Sequence, residues 1–286
     1  MPKLPEKIGT IHSINENEYG GAPRTYLGMS GIGGACWRSL WYGFHWAKVT
    51  KHNARSERIF SIGHLFEQVA IAELKSAGCF VFRLDKDGNS IELTGEKGEE
   101  QEELTGFGGH AGGHPDGRII GLIEYPHQEL LLELKTMKDD KFKSFKRKGV
   151  INSHPVYYGQ AQRYMDKMGL KVCFFLAVNK NTAEYWWEFI HFDREFAAEL
   201  KRKEMVIIIS DEPPERGHMS SSLECSWCEK KGICHFGEEP DQNCRTCEHC
   251  DFVDDGEILC DIQDEKKLSV VEQRSGCSKW SKGWGL

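Results

Sequence analysis

Apolar positions along this chain follow two rhythms, one repeating every three or four residues and one running on consecutive or alternate residues. Trp37, Leu40, Trp41 and Phe44 recur at helical spacing, which predicts a helix over about 33–47 that carries Cys36 and Arg38. Ile62, Leu65, Phe66, Val69 and Ala70 form a second stripe and predict a helix over about 61–77, stopped at Gly78. CFVFRL at 79–84 predicts a strand, and the polar stretch after it a hairpin and a loop. Strands are predicted at 117–124 and 129–135 around the turn Tyr125-Pro126-His127-Gln128. A basic segment then leads to a helix predicted over about 155–168 and ended by Gly169. VCFFLAVN (172–179) and AEYWWEFIHF (183–192) predict a strand pair, and Asp193 stands where it would cap a helix reaching about 209. Residues 1 to about 30 read as an arm, 211–222 as a linker, and the remainder as a cysteine-rich tail.

One strand breaks its own pattern. Leu130, Leu131 and Leu132 run into Glu133-Leu134-Lys135, and residues two apart on a strand share a face. Glu133 and Lys135 therefore point one way while Leu134 packs into the opposite layer. Charges beside such an apolar run are costly to bury unless they pair with each other or hold a cation. A plain salt bridge at a sheet edge is the simpler reading of the two residues taken alone.

The 286 residues suffice for one medium domain and an appendage. The composition, 39% hydrophobic and 28% charged, is that of an ordinary globular protein. No apolar run nears the roughly 20 residues that cross a bilayer, and the start MPKLPEKIGTIHS lacks a secretory h-region. A cytoplasmic protein, in a bacterial or phage-infected cell, is the expectation. The net charge of −7 argues against nucleic acid, but the charge is uneven. Lys135, Lys138, Lys141, Lys143, Lys146, Arg147 and Lys148 crowd together with Phe142 and Phe145 between them. Such a patch would hold a phosphate backbone, or would be a solvated helix face.

Of eleven cysteines, all but Cys36, Cys79 and Cys173 lie between Cys225 and Cys277. In a reducing compartment that crowding suggests metal ligation rather than disulfides. Cys79 and Cys173 sit in apolar strands and read as core. Cys244-x2-Cys247-x2-Cys250-x9-Cys260-x16-Cys277 reads as a small Zn²⁺ knuckle. Cys244, Cys247, Cys260 and Cys277 are favoured as its ligands, with Cys250 spare and His249 and His235 as alternatives. Arg245, Lys279, Lys282, Trp280 and Trp284 mix aromatic and basic character, suited to stacking on bases or to packing a small domain.

Four short motifs, in order, carry a resemblance. They are Gly63-x-x-x-Glu67, Pro115-Asp116, Glu133-x-Lys135 and Gln160-x-x-x-Tyr164. Together, over roughly 55–200, the chain resembles the PD-(D/E)xK nuclease superfamily, in its RecB-like and phage exonuclease branch. The resemblance implies an α/β (α+β) fold with a restriction-endonuclease-like mixed central sheet flanked by helices, plus a small cysteine-rich metal-binding C-terminal region. It implies a divalent-metal-dependent DNA nuclease, an exonuclease at ends or on single strands, serving repair, recombination or phage DNA processing. A sequence- or structure-specific endonuclease and a non-catalytic zinc-containing nucleic-acid-binding protein are the other readings.

By that resemblance Asp116, Glu133 and the Leu134 carbonyl would hold Mg²⁺ or Mn²⁺, with Lys135 acting on the attacking water. Glu67 would reach the ion directly or through water, and Glu73 competes for that place. His64 would be a further ligand or only a boundary residue. Gln160 and Tyr164 would hold the substrate phosphate or the Lys135 end, although Tyr164 also reads as core. His110 and His114, beside Asp116, read as turn residues or as loop residues near substrate. One upstream and three clustered cysteines (Cys36, Cys225, Cys228 and Cys234) resemble the [4Fe–4S] staple of CRISPR-associated and AddB-type exonucleases; zinc in the same four is the rival. The expected organisation is an arm and helix at 1–54, a nuclease core at 55–210, a linker with cluster cysteines at 211–240 and a zinc tail at 241–286.

Overall fold

In a computed structural model, residues 14, 18–19, 23–50, 52–96, 98–283 and 285 are described. Trp284 and most of the expected N-terminal arm lie outside them. The centre is a six-stranded sheet formed by β1 (Phe80–Leu84), β2 (Ser90–Glu92), β3 (Gly117–Ile120), β4 (Leu130–Met137), β5 (Val172–Asn179) and β6 (Tyr185–His191). Its spatial order is β6-β5-β4-β3-β1-β2. β4 and β5 are parallel and every other neighbouring pair is antiparallel. The mixed sheet with helices on both faces, and the cysteine-rich region after it, are as the sequence implied.

β4 and β5 run through the middle and are covered on both sides, so they read as nearly continuous apolar runs. Leu130, Leu132 and Leu134 face one layer, where Ala70 and Ile71 of α2 (Ala54–Ser76) pack with Val81, Ile119 and Phe174. Leu131 and Met137 face the other, against α3 (Asp139–Ser153), α4 (Pro155–Met168) and α5 (Arg194–Ile209), with α1 (Trp37–Phe44) beyond. Glu133 and Lys135 belong to this second face by strand alternation.

Three local readings are corrected. The basic segment ahead of the predicted 155–168 helix is itself a helix, α3, with Phe142 and Phe145 both fully buried in the core. Those two rings hold α3 to the sheet and are not free to stack on bases. The helix predicted over 61–77 begins seven residues earlier, and much of its apolar stripe faces out, with Ile62, Leu65 and Val69 all exposed. The helix predicted from 33 begins at Trp37, so Cys36 is its N-cap: the thiol accepts from the Ser39 amide at 3.4 Å.

The tail folds as β7 (Cys250–Phe252), β8 (Ile258–Cys260) and β9 (Lys266–Lys267) with a short helix, α6 (Val270–Ser275). Arg245 fastens it to the body and is completely buried, not presented to a ligand as the sequence suggested. Its guanidinium donates to the carbonyls of Phe44 at 2.7 Å and Thr25 at 2.5 Å and to Gln273 Oε1 at 3.1 Å. It lies over the rings of Phe44, Trp46 and Phe252 at 5.3, 4.4 and 5.2 Å. Burial brings its pKa down to about 10. Arg245→Met should cost about 3–5 kcal/mol, because two carbonyls and an amide lose a buried donor together. A fall in the thermal midpoint reads this out; an unchanged midpoint would mean that the anchor is dispensable.

Candidate functional site

Chain register brings the acidic residues together. Gly117, the first residue of β3, pairs with Leu132 of β4, which sets the preceding Asp116 beside Glu133 and Leu134. Asp116 Oδ2 accepts from the Leu134 amide at 2.7 Å. Lys135 Nζ lies 3.5 Å from that same oxygen, makes an ion pair with Glu133 Oε1 and donates to the Leu134 carbonyl at 3.1 Å. Two acids, one carbonyl and one ammonium thus converge at a single point.

Glu133 is the unusual member. It is 0% exposed, and neither of its oxygens completes a directed hydrogen bond among the described residues. Burial pushes its carboxyl up to about 8; Lys135 pulls against this, while Asp116 and Glu67 add to it. Burial by itself would lower the pKa of Lys135, but Asp116 and Glu133 outweigh it and hold the ammonium far above the ordinary lysine range. A buried carboxylate with unfilled acceptor positions is poorly solvated, and a further cation is what such a group lacks.

Glu67 reaches the cluster from α2. Its carboxyl is raised by burial and then by Asp116, and His64 Nδ1 lies 3.2 Å from Glu67 Oε2. The rival Glu73 is engaged elsewhere, with Tyr185. His64 is largely exposed and lines an open groove together with Glu67, Asp116 and Leu134. From α4, Tyr164 is buried and donates to the His114 carbonyl at 3.2 Å, and Gln160 bonds the same phenol. Burial, then Glu133 and Asp116, raise the Tyr164 pKa. Gly113 passes so close that a Cβ there would lie 2.6 Å from the Tyr164 ring. Arg163 fixes the register of α4 by a bidentate pair with Glu204 of α5, both bonds 2.8 Å and both side chains buried.

His110 is not beside this cluster in function: its ring is buried against the tail, with Nε2 2.5 Å from the Val253 carbonyl. Sequence reasoning missed Tyr157, whose ring lies under Lys135 Nζ at 5.6 Å. Its signal was the spacing of Tyr157, Gln160 and Tyr164, which share one helical face.

Cys36, Cys225, Cys228 and Cys234 line one small cleft with Arg38, Arg216, Lys230 and Lys231. Ser39 Oγ lies 3.7 Å from Cys228 Sγ, so the start of α1 rests on the 225–234 segment. His235 belongs here and not in the tail, with Nε2 3.6 Å from Cys225 Sγ. In the tail, burial and then the neighbouring Cys277, Cys247 and Cys260 push the Cys244 thiol up to about 11. Cys250 is 1% exposed, pairs with Cys260 across β7 and β8, and is also raised by burial. His249 faces Glu248 and Asp261 at 3.6 and 3.4 Å. Trp280 packs in this small core and donates to Thr246 Oγ1 at 3.2 Å.

Among the described residues no three His, Cys, Asp or Glu side chains are drawn together as tightly as a bound ion would hold them. The donor types nevertheless suit metals: carboxylate oxygens around Glu133 for a hard cation, and thiols in each cysteine set for a softer centre. At the acidic cluster Lys135 occupies the space between the carboxylates.

No known family's sequence profile matches the chain, and no curated protein matches it. Among solved structures it is similar to LHK-Exo in complex with dAMP, at 16% identity and TM-score 0.42 over 64% of this chain and 86% of that one. It is similar to an alkaline exonuclease (LHK-Exo) from Laribacter hongkongensis, at 15% and 0.40 over 65% and 87%. SSO0001 aligns at 11% and 0.38, over 74% of this chain and 86% of that one. Likeness of this depth assigns neither family nor activity.

Proposed function

We propose that this protein is a divalent-metal-dependent deoxyribonuclease, an exonuclease that hydrolyses phosphodiester bonds at DNA ends or in single strands. The supporting observation is Glu133: fully buried, paired only with Lys135, and set beside Asp116, which itself lines an open groove. Asp116, Glu133 and the Leu134 carbonyl would hold Mg²⁺ or Mn²⁺, with Glu67 and His64 at the groove side. When bound, the ion would supply a more acidic water and offset charge on the phosphate. Lys135, charged and held by both acids, would orient the attacking water and stabilise the developing negative charge. Tyr164 and Gln160 would hold the substrate phosphate or the lysine end. The exposed lysines of α3 would draw the backbone in despite the acidic total.

Residues 55–210 would form the nuclease core in this reading. Cys36, Cys225, Cys228 and Cys234 would bind a structural [4Fe–4S] cluster closing a long loop, and Cys244, Cys247, Cys260 and Cys277 would bind Zn²⁺ in the tail, leaving Cys250 as a buried thiol. The neighbouring basic side chains at the first set would offset the charge of bound thiolates. Among the described residues no helix is long and apolar enough to cross a membrane.

End-labelled linear DNA and covalently closed circles, each incubated with Mg²⁺ or Mn²⁺ or with chelator, test the activity. Metal-dependent loss of the linear form with circles intact is expected. Cleaved circles would replace the exonuclease reading by an endonuclease, and intact DNA throughout would remove the nuclease. Iron and zinc analysis after anaerobic purification tests the cysteine sets: brown protein with both metals is expected, and colourless protein with zinc alone would remove the cluster.

A further inference from the structure

The basic face of α3 is only partly neutralised. Lys143 pairs with Asp139 at 2.7 Å, and Lys146 pairs with Glu184 at 2.5 Å while lying 4.6 Å over the Trp186 ring. Lys138, Lys141, Arg147 and Lys148 are exposed and make no ion pair with another described residue. The charge of Lys141 is felt at His154, the residue between α3 and α4: burial first, and then this ammonium, hold the imidazole below its usual pKa. The imidazole stacks on Tyr157, centroids 5.5 Å apart and planes within 5°. The other end of the trail is Lys135, over the Tyr157 ring. Both rings are half-buried. A line of side chains, His154–Tyr157–Lys135, therefore joins the turn after the cationic helix to the acidic cluster.

Tyr157 also packs on the core beside Phe175, with ring centroids 6.2 Å apart, whereas the turn does not require the imidazole. The turn between the helices uses the His154 carbonyl, which accepts from the Tyr157 and Tyr158 amides, and Pro155, which starts α4. The imidazole itself makes one short polar contact, Nδ1 to Ser153 Oγ at 2.8 Å. A flat aromatic pair beside an unpaired ammonium matches a nucleotide, with its π-face and its phosphate.

We propose that His154 and Tyr157 form a stacking platform for one nucleobase of a single strand, with Lys141 on the adjoining phosphate, flanking the acidic cluster on its α3 side. The proposal rests on the nuclease reading and names how the strand is gripped there. A base stacked on the imidazole contributes contacts that no sugar–phosphate backbone can replace, whereas Lys141 acts on the backbone whatever the base.

The test uses the full chain carrying Asp116→Ala, so that the strand is bound and not cut. Probes are a fluorescein-labelled oligothymidylate and a strand of equal length with every base removed. His154→Ala is expected to weaken the base-bearing strand about tenfold and the abasic strand by less than about twofold, with His154→Phe restoring binding. Lys141→Ala should weaken both equally and reduce the salt slope by about one. Equal losses for the two strands in His154→Ala, or no loss in either, would overturn the platform. The nuclease reading is judged separately, by cleavage with the parent protein. If the parent cuts and His154→Ala binds both strands normally, the platform alone is wrong. If the parent never cuts but the base-dependent loss appears, the platform stands and the nuclease reading is wrong.

Discussion

Asp116→Ala should lower metal-dependent cleavage by at least about a thousandfold, roughly 4 kcal/mol of transition-state stabilisation. The carboxylate stands within reach of Lys135 and accepts the Leu134 amide, so its loss removes a proposed ligand and loosens the loop beside the other acid. Lys135→Ala should have a comparable effect through a second route. Without its ammonium, the wholly buried Glu133 carboxylate has no ion-pair partner among the described residues and takes up a proton. The variant therefore loses the lysine and weakens the proposed cation site at the same time. Single-turnover cleavage of end-labelled DNA measures both, with circular dichroism to show that each variant is folded. Activity within tenfold of the parent in either variant would remove these residues from the chemistry.

The second large effect concerns stability, with the sign opposite to that of most core substitutions. Glu133→Leu combined with Lys135→Met should raise the stability of the protein without added divalent metal by about 1–4 kcal/mol while abolishing cleavage. A buried ion pair with unfilled acceptor positions does not recover its desolvation cost, whereas Leu and Met pack on the neighbouring Leu131, Met137 and Phe175 layer. Lys135→Met alone should be less stable than the double variant by about 1–3 kcal/mol, because it leaves Glu133 buried as a protonated acid without its partner. The pH dependence follows from Glu133. Its folded pKa of about 8 lies above the ordinary 4.5, so the folded parent binds more protons than the unfolded chain between these values. Its stability contribution is whole below about 4.5 and is lost as pH rises through 8. The gain from the double variant should therefore grow over that window. Thermal unfolding across the range measures it, and a double variant less stable than the parent at every pH would show that the pair is structural.

Several elements were legible because their signals are local. Pro155 at the start of α4 and Gly169 at φ 69° beyond its end bracket the helix where predicted. β5 and β6 announce themselves by length and by aromatic and β-branched content around a short turn. α3 was not legible. Its apolar contribution is largely Phe142, Phe145 and Val150, and Gly149 breaks its backbone at φ 71°. The last turn is capped by Glu188 of β6, whose Oε2 accepts the Val150 amide at 2.8 Å. A cap supplied from a distant strand leaves no trace in the neighbouring sequence.

The two-residue alternation of a strand sufficed to place Glu133 and Lys135 on one face, because Cβ direction along a strand is set by the backbone alone. Helical spacing likewise grouped Gln160 with Tyr164. Only the folded chain decided what those faces meet. It chose Glu67 over Glu73, turned Ile62, Leu65 and Val69 outward, drew Phe142 and Phe145 inward and sank Arg245 among three rings. Periodicity names the stripes on an element, but which stripe is buried depends on the partners that close over it, and those arrive from residues far along the chain.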